Sequence, residues 1–127
     1  MTRIAPTGAR TGRPVVRWQI LSKNPDAHAS FYCELFDWQV DASNALGYRE
    51  LRTGAEQGID GGIWPAPPEA HAFVQLFVDV DDVAGAVERA VGLGAQVIVA
   101  AQVLPDGDEM AILLDPQGLS FAVVKPG

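Results

Sequence analysis

Residues 15–38, VVRWQILSKNPDAHASFYCELFDW, decide the fold, because a strand, a helix start and a helix end follow one another there and the same order returns at residues 73–96, FVQLFVDVDDVAGAVERAVGLGAQ. In the first copy Val15 to Leu21 is rich in β-formers, and alternation sets Arg17, Gln19 and Leu21 on one face against Val16, Trp18 and Ile20 on the other. The second set reads as the packed face, which leaves the first to solvent or to a polar-lined cavity. Asn24 then caps a helix whose first residue, Pro25, has its φ already set, and Ala27, Phe31 and Leu35 make an apolar stripe that Tyr32 and Phe36 widen. A shift of 58 positions lays Arg17 on Gln75, Ile20 on Val78, cap Asn24 on cap Asp82, Leu35 on Leu93 and Trp38 on Gln96. Identity is low, but the structural roles align, so the chain reads as a duplication.

Working outward, Trp38 to Asp41, Tyr48 to Arg52 and Gly58 to Trp64 read as strands that complete the first unit, with a turn at Ser43–Asn44. The second unit runs through a strand from Ala72 to Asp79 and a helix capped by Asp81 or Asp82 that stops at Gly94. Three strands follow, Gln96 to Val103, Glu109 to Leu114 and Leu119 to Val124, the last two joined by the turn Asp115-Pro116-Gln117-Gly118. The units, 15–64 and 72–125, flank a connector over 65–71 in which Pro65, Pro67 and Pro68 exclude a central strand. A unit near 50 residues long is too small to bury both faces of its sheet, so the two form one domain over 15–127. Met1 to Pro14 shows no period and reads as a flexible leader.

Composition narrows the function. The 127 residues carry 9 basic and 16 acidic side chains, a net charge of −7, which disfavours nucleic acid and anionic membranes as partners. From Thr53 to Val124 the one basic residue is Arg89, a balance that suits neutral or cationic small molecules. A lone cysteine, Cys33, forms no intrachain disulfide and reads as a structural thiol. The sequence has neither a signal-type apolar segment nor a membrane-length one, and the expected location is the cytoplasm. Hydrolase elbows, P-loops and dinucleotide-binding glycine motifs are absent.

The segment Ser30-Phe31-Tyr32-Cys33-Glu34-Leu35-Phe36-Asp37-Trp38 and the ending Asp115-Pro116-Gln117-Gly118 with Phe121 resemble the FY-x-x-LFGW and DP-x-G-x-x-F segments of the vicinal oxygen chelate superfamily. That superfamily includes glyoxalase I, bleomycin-resistance proteins, fosfomycin-resistance enzymes and extradiol dioxygenases. The resemblance covers about residues 15–125 and implies an α+β fold, two tandem βαβββ units forming an open, cup-shaped sheet, usually in a homodimer. It also implies that enzymes of the family hold a divalent metal in the cup. Here the expected ligand positions fall on Arg17, on Gln75, on Ala122, and on Trp64 or Gly62. Of these only Gln75 has a lone pair to offer, and one neutral amide does not hold a divalent ion. His28 and His71 lie outside the four positions, so the reading expects no metal and no cofactor.

What remains is binding. The expected lining is Arg17, Gln19, Leu21, Tyr48, Glu50, Trp64, Gln75, Phe77 and Met110, a mixture of aromatic faces with amide and hydroxyl groups. It suits a planar, largely apolar small molecule, an aromatic natural product above all, and by resemblance points to antibiotic sequestration. Two alternatives stand beside it. One is a glyoxalase-like lyase or isomerase, using either a metal or Arg17, Glu50 and Tyr48; the other is an interaction domain with the cup collapsed. Arg17 itself pairs with Glu50 or another cup carboxylate, or else binds a ligand carbonyl or carboxylate.

Overall fold

The computed structural model describes residues 12–43, 48–67, 69 and 71–127. Strand β1 (Val15–Ser22), helix α1 (Pro25–Phe36) and strands β2 (Gln39–Asp41), β3 (Arg49–Arg52) and β4 (Gly61–Pro65) form the first unit. Strand β5 (Phe73–Asp79), helix α2 (Val83–Gly92) and strands β6 (Gln96–Val103), β7 (Glu109–Leu114) and β8 (Ser120–Lys125) form the second. All eight strands join one sheet in the order β2-β3-β4-β1-β5-β8-β7-β6, so each unit contributes one half. The seam is the antiparallel pair β1–β5, where Gln19 faces Gln75 and Arg17 faces Phe77.

Both helices lie on the outer face. Under α1, Ala29, Leu51 and Ile63 are buried with Trp18, Ile20, Cys33 and Trp38 against them. Under α2, Val80, Val83, Ala111, Leu113 and Val123 form the corresponding core. The cap chemistry is as read from sequence: Asn24 Oδ1 accepts from Ala27 N, and Asp82, not Asp81, accepts from Gly85 N. Ser22 Oγ supports the first cap by accepting from Asn24 N while hydrogen-bonding His28 Nδ1.

The expected stripe of α1 is displaced. Phe31 and Leu35 are each 58% exposed and Ala27 is exposed too, whereas Ala29 and Cys33 face the sheet. Small residues at the contact let the helix approach its strands closely, and the bulky ones turn outward. Beside the outward Phe31, Tyr32 turns toward the sheet, its ring stacked 6.0 Å from Trp38. Along β1, Trp18 and Ile20 are packed as expected, but Val16 is exposed.

Other boundaries move for local reasons. Strand β4 starts at Gly61, three residues later than expected, and includes Pro65. Proline is tolerated there because the β3 ladder ends at Ile63, while Ala66 N makes the next bond to Ser22 O. Trp38 precedes β2, since Asp37 at the helix end takes a left-handed conformation, φ 60°. The two adjacent glycines serve opposite faces: a Cβ on Gly61 would overlap the Trp18 indole outside, and one on Gly62 would overlap the Tyr48 phenol inside.

Part of the expected leader lies outside the described residues, as do Asn44 of the expected turn and Pro68 of the connector. Its last residues are tied down, since Arg13 pairs with Asp81 at 3.0 Å and Pro14 O accepts from Asp79 N.

Candidate functional site

The inner face of the sheet encloses an open cavity of about 810 Å³, within the range of small-molecule sites. All nine residues expected to line the cup do so: Arg17, Gln19 and Leu21 from β1, Tyr48 and Glu50 from the β3 segment, Trp64 from β4, Gln75 and Phe77 from β5 and Met110 from β7. The cup is therefore not filled by its own side chains. Sequence reading missed Phe73, Ile112 and Ser120, which lie two residues from Gln75, Met110 and Ala122, so the strand period already pointed to them. It also missed Ile98 and Val99 and the rim residues Leu104, Pro105, Asp106 and Asp108. There the signal is absent, because two bulges interrupt β6 and both neighbours reach the cavity.

The floor is a line of amides on the seam. Gln19 Nε2 donates to Gln75 Oε1 at 3.2 Å, and Gln75 Nε2 donates to Ser120 Oγ at 2.6 Å. Both glutamines are buried, and leaving such groups unpaired would cost about 1–3 kcal/mol each. The chain ends on Gln19 Oε1 as acceptor and on the Ser120 hydroxyl as donor, which can orient a ligand. Aromatic walls stand beside it: Tyr48 and Trp64 form a tilted pair with centroids 5.8 Å apart. The second unit supplies an apolar bed of Phe77, Ala122 and Val124 with Met110 and Ile112 packed against them.

Arg17 lies over this bed, its guanidinium 4.7 Å from the Phe77 ring centroid. The expected pairing with Glu50 is not formed, because Glu50 accepts instead from Arg52 at 2.9 Å, a neighbour on the same face of β3. Burial pushes the Tyr48 phenol above its ordinary pKa; the positive charge of Arg17 opposes that and Glu50 reinforces it. Tyr48 is thus a neutral hydroxyl at pH 7.

A divalent metal does not fit these residues. Strand register identifies the fourth position, since Gln19 pairs with Gly62 in β1–β4 as Phe77 pairs with Ala122 in β5–β8; it is Gly62 rather than Trp64. The quartet is therefore Arg17, Gly62, Gln75 and Ala122. The place a side chain on Gly62 would take is filled by the Tyr48 ring, Ala122 is fully buried, the Gln75 amide is engaged at both ends, and Arg17 brings a positive charge. Among the described residues no three His, Cys, Asp or Glu side chains are placed to share an ion. No helix among them is long and apolar enough to cross a membrane.

Comparison with known proteins agrees with the fold. The glyoxalase-like domain family matches residues 17–124. A protein of Mycobacterium bovis named as a candidate glyoxylase, CFP32, is 29% identical over 111 residues, covering 85% of this chain and 42% of the relative, and a Mycobacterium tuberculosis counterpart matches equally. The chain thus spans about two fifths of the length of these relatives. Among solved structures, methylmalonyl-CoA epimerase from Mycobacterium tuberculosis is similar with a TM-score of 0.64 at 15% identity, over 98% of this chain and 93% of that one. The hypothetical protein BH1468 from Bacillus halodurans is similar with a TM-score of 0.68 at 12% identity, over 92% and 96%. At such identities the likeness concerns the glyoxalase/bleomycin-resistance fold and not the chemistry.

Proposed function

Because this chain belongs to the glyoxalase-like domain family, a branch of the vicinal oxygen chelate superfamily, and its cup offers aromatic faces where a metal needs anionic ligands, we propose that it binds a planar, largely apolar small molecule without a metal ion. The observation that carries this reading is the quartet Arg17, Gly62, Gln75 and Ala122 beneath an open, aromatic-walled cavity. In this reading Trp64 and Tyr48 contact the ring faces of the ligand, Phe77, Leu21 and Met110 cover its apolar edge, and Gln19 and Gln75 fix its orientation. Glu50, held by Arg52 at the mouth, shapes the rim. Sequestration of an aromatic natural product such as an antibiotic is the use that fits a site built to hold rather than to transform. A second copy of the chain is the expected partner, supported by apolar residues exposed on the outer face, Val74 and Leu76 on β5 and Phe31 and Leu35 on α1.

Calorimetric titration with nickel, zinc and manganese tests the metal-free reading: weak or no heat is expected, and tight stoichiometric binding overturns it. Incubating the protein with any compound it retains separates holding from turnover. A binder returns the compound intact, whereas consumption that disappears in Glu50→Gln would establish the lyase or isomerase alternative.

A further inference from the structure

The electrostatics of the cavity define the ligand more narrowly than its shape does. Among the described residues Arg17 is the one cationic side chain lining the cavity. Each lining carboxylate is already engaged elsewhere. Glu50 accepts from Arg52 at 2.9 Å, Asp106 accepts from the backbone N of Asp108 at 2.9 Å, and Asp108 accepts from the backbone N of Gly127 at 3.0 Å. The ion pairs formed among the described residues use Arg13, Arg49 and Arg52 and none includes Arg17, whose Nε is buried without a hydrogen-bond partner. The face of the guanidinium is covered by the Phe77 ring, so its in-plane N–H donors are what it has left to offer. A charged fork lying on an aromatic ring, with no ion-pair partner among the described residues, matches the geometry of a carboxylate or similar oxyanion.

We propose that the molecule held in the cup is a planar aromatic monoanion whose carboxylate or phenolate oxygen pairs with Arg17; this rests on the small-molecule reading above. The acidic rim restricts the charge as well as the position. Asp106 and Asp108 at the mouth disfavour anions, and more so with each added charge, so one negative charge on an apolar ring system is what Arg17 can offset; this departs from the neutral or cationic ligand that the overall acidity suggests.

The test uses two probes of one shape, 2-naphthoate and 2-naphthamide, titrated calorimetrically at pH 7 into the wild-type protein and into Arg17→Gln and Arg17→Lys. A charge-assisted hydrogen bond in this setting predicts naphthoate binding about tenfold or more tighter than naphthamide. The preference should vanish in Arg17→Gln and survive in part in Arg17→Lys, while unchanged circular dichroism and thermal unfolding report that the cup is intact. Equal affinities in the wild type, tighter naphthamide, or a preference that persists in Arg17→Gln overturn the anion assignment and leave the binding reading standing. Absence of binding by both probes overturns both. A 4-nitrophenol arm, read by phenolate absorbance, distinguishes the two oxyanions: a bound ionisation moved to lower pH includes phenolates, and no shift beside a clear naphthoate preference restricts the site to carboxylates.

Discussion

The two units share one backbone plan and divide the cup unequally. At equivalent places the first unit presents Arg17, Gln19 and Gly62 with Tyr48 over it, and the second presents Gln75, Phe77 and the buried Ala122. One half therefore carries the positive charge and the phenol, and the other an apolar bed rimmed by Asp106 and Asp108. The outer faces diverge as well: α2 packs Val83, Ala86, Val87 and Ala90 onto its sheet, while α1 rests on Ala29 and Cys33 and leaves Phe31 and Leu35 outside. A duplicated fold thus keeps its register where the backbone needs it and specialises where side chains line the cup.

The largest test of that division is whether the halves are separable. Leu51 under α1 and Leu113 under α2 are both fully buried, and truncation of either to Ala should cost about 2–5 kcal/mol in denaturant unfolding. Because β1 and β5 join the units through their longest shared pairing, each variant should unfold in a single transition with fluorescence and circular dichroism coincident. Two resolved transitions would mean that the units are independent bodies.

Next in size is Gly62→Ala, which breaks the first half of the cup alone. The new Cβ would overlap both the hydroxyl and the ring of Tyr48, so a cost of about 1–3 kcal/mol is expected. The same substitution made in a Tyr48→Ala background should cost little. If the two changes are additive instead, Tyr48 does not lie across Gly62.

These residues also show what the sequence made legible. Strand alternation sets Arg17, Gln19 and Leu21 on one face and the 58-residue shift carries Arg17 onto Gln75, but it takes the resemblance to make that face the inside of a cup; a period of two then leaves no freedom once a strand's face is assigned. The helix face was not legible. Phe31 and Leu35 made the stronger apolar signal, but close approach to the sheet selects small residues, and hydrophobicity does not encode that distance. Gly61 and Gly62 gave no sign of which ring lies over which, since both contacts come from distant parts of the chain. That Arg17 has no ion-pair partner among the described residues is equally hidden, because Glu50 pairs with Arg52, two residues away on the same face of β3.

A smaller effect separates the helix ends. Helix α1 stops at Asp37 with φ 60° and no basic residue in its last turn, whereas the left-handed residue after α2 is Gly94, φ 106°. Asp37→Gly removes both the strained conformation and a negative charge at the helix C-terminus, and should stabilise by about 0.5–1 kcal/mol. Gly94→Ala should do the reverse, with its Cβ brought within 3.2 Å of Pro116 Cγ. Thermal melts of the two variants moving in the same direction would break the contrast.

The smallest effect is confined to alkaline solution and arises in the first unit, since the second has no tyrosine. Burial raises the Tyr48 pKa in the folded chain above the ordinary value of about 10. Below that ordinary value both states keep the proton and Tyr48 adds no pH dependence. As pH rises past it the unfolded chain releases the proton while the folded chain still holds it, so stability is lost until the raised folded value is passed. Tyr48→Phe removes the titrating group, and its stability should decline less steeply above pH about 10 than that of the wild type, whatever offset the missing hydroxyl causes at pH 7. The offset and the slope are separable in one series of denaturation curves. A change in offset with an unchanged alkaline slope would show that the phenol is exposed, and would remove one wall of the cup from the half that carries Arg17.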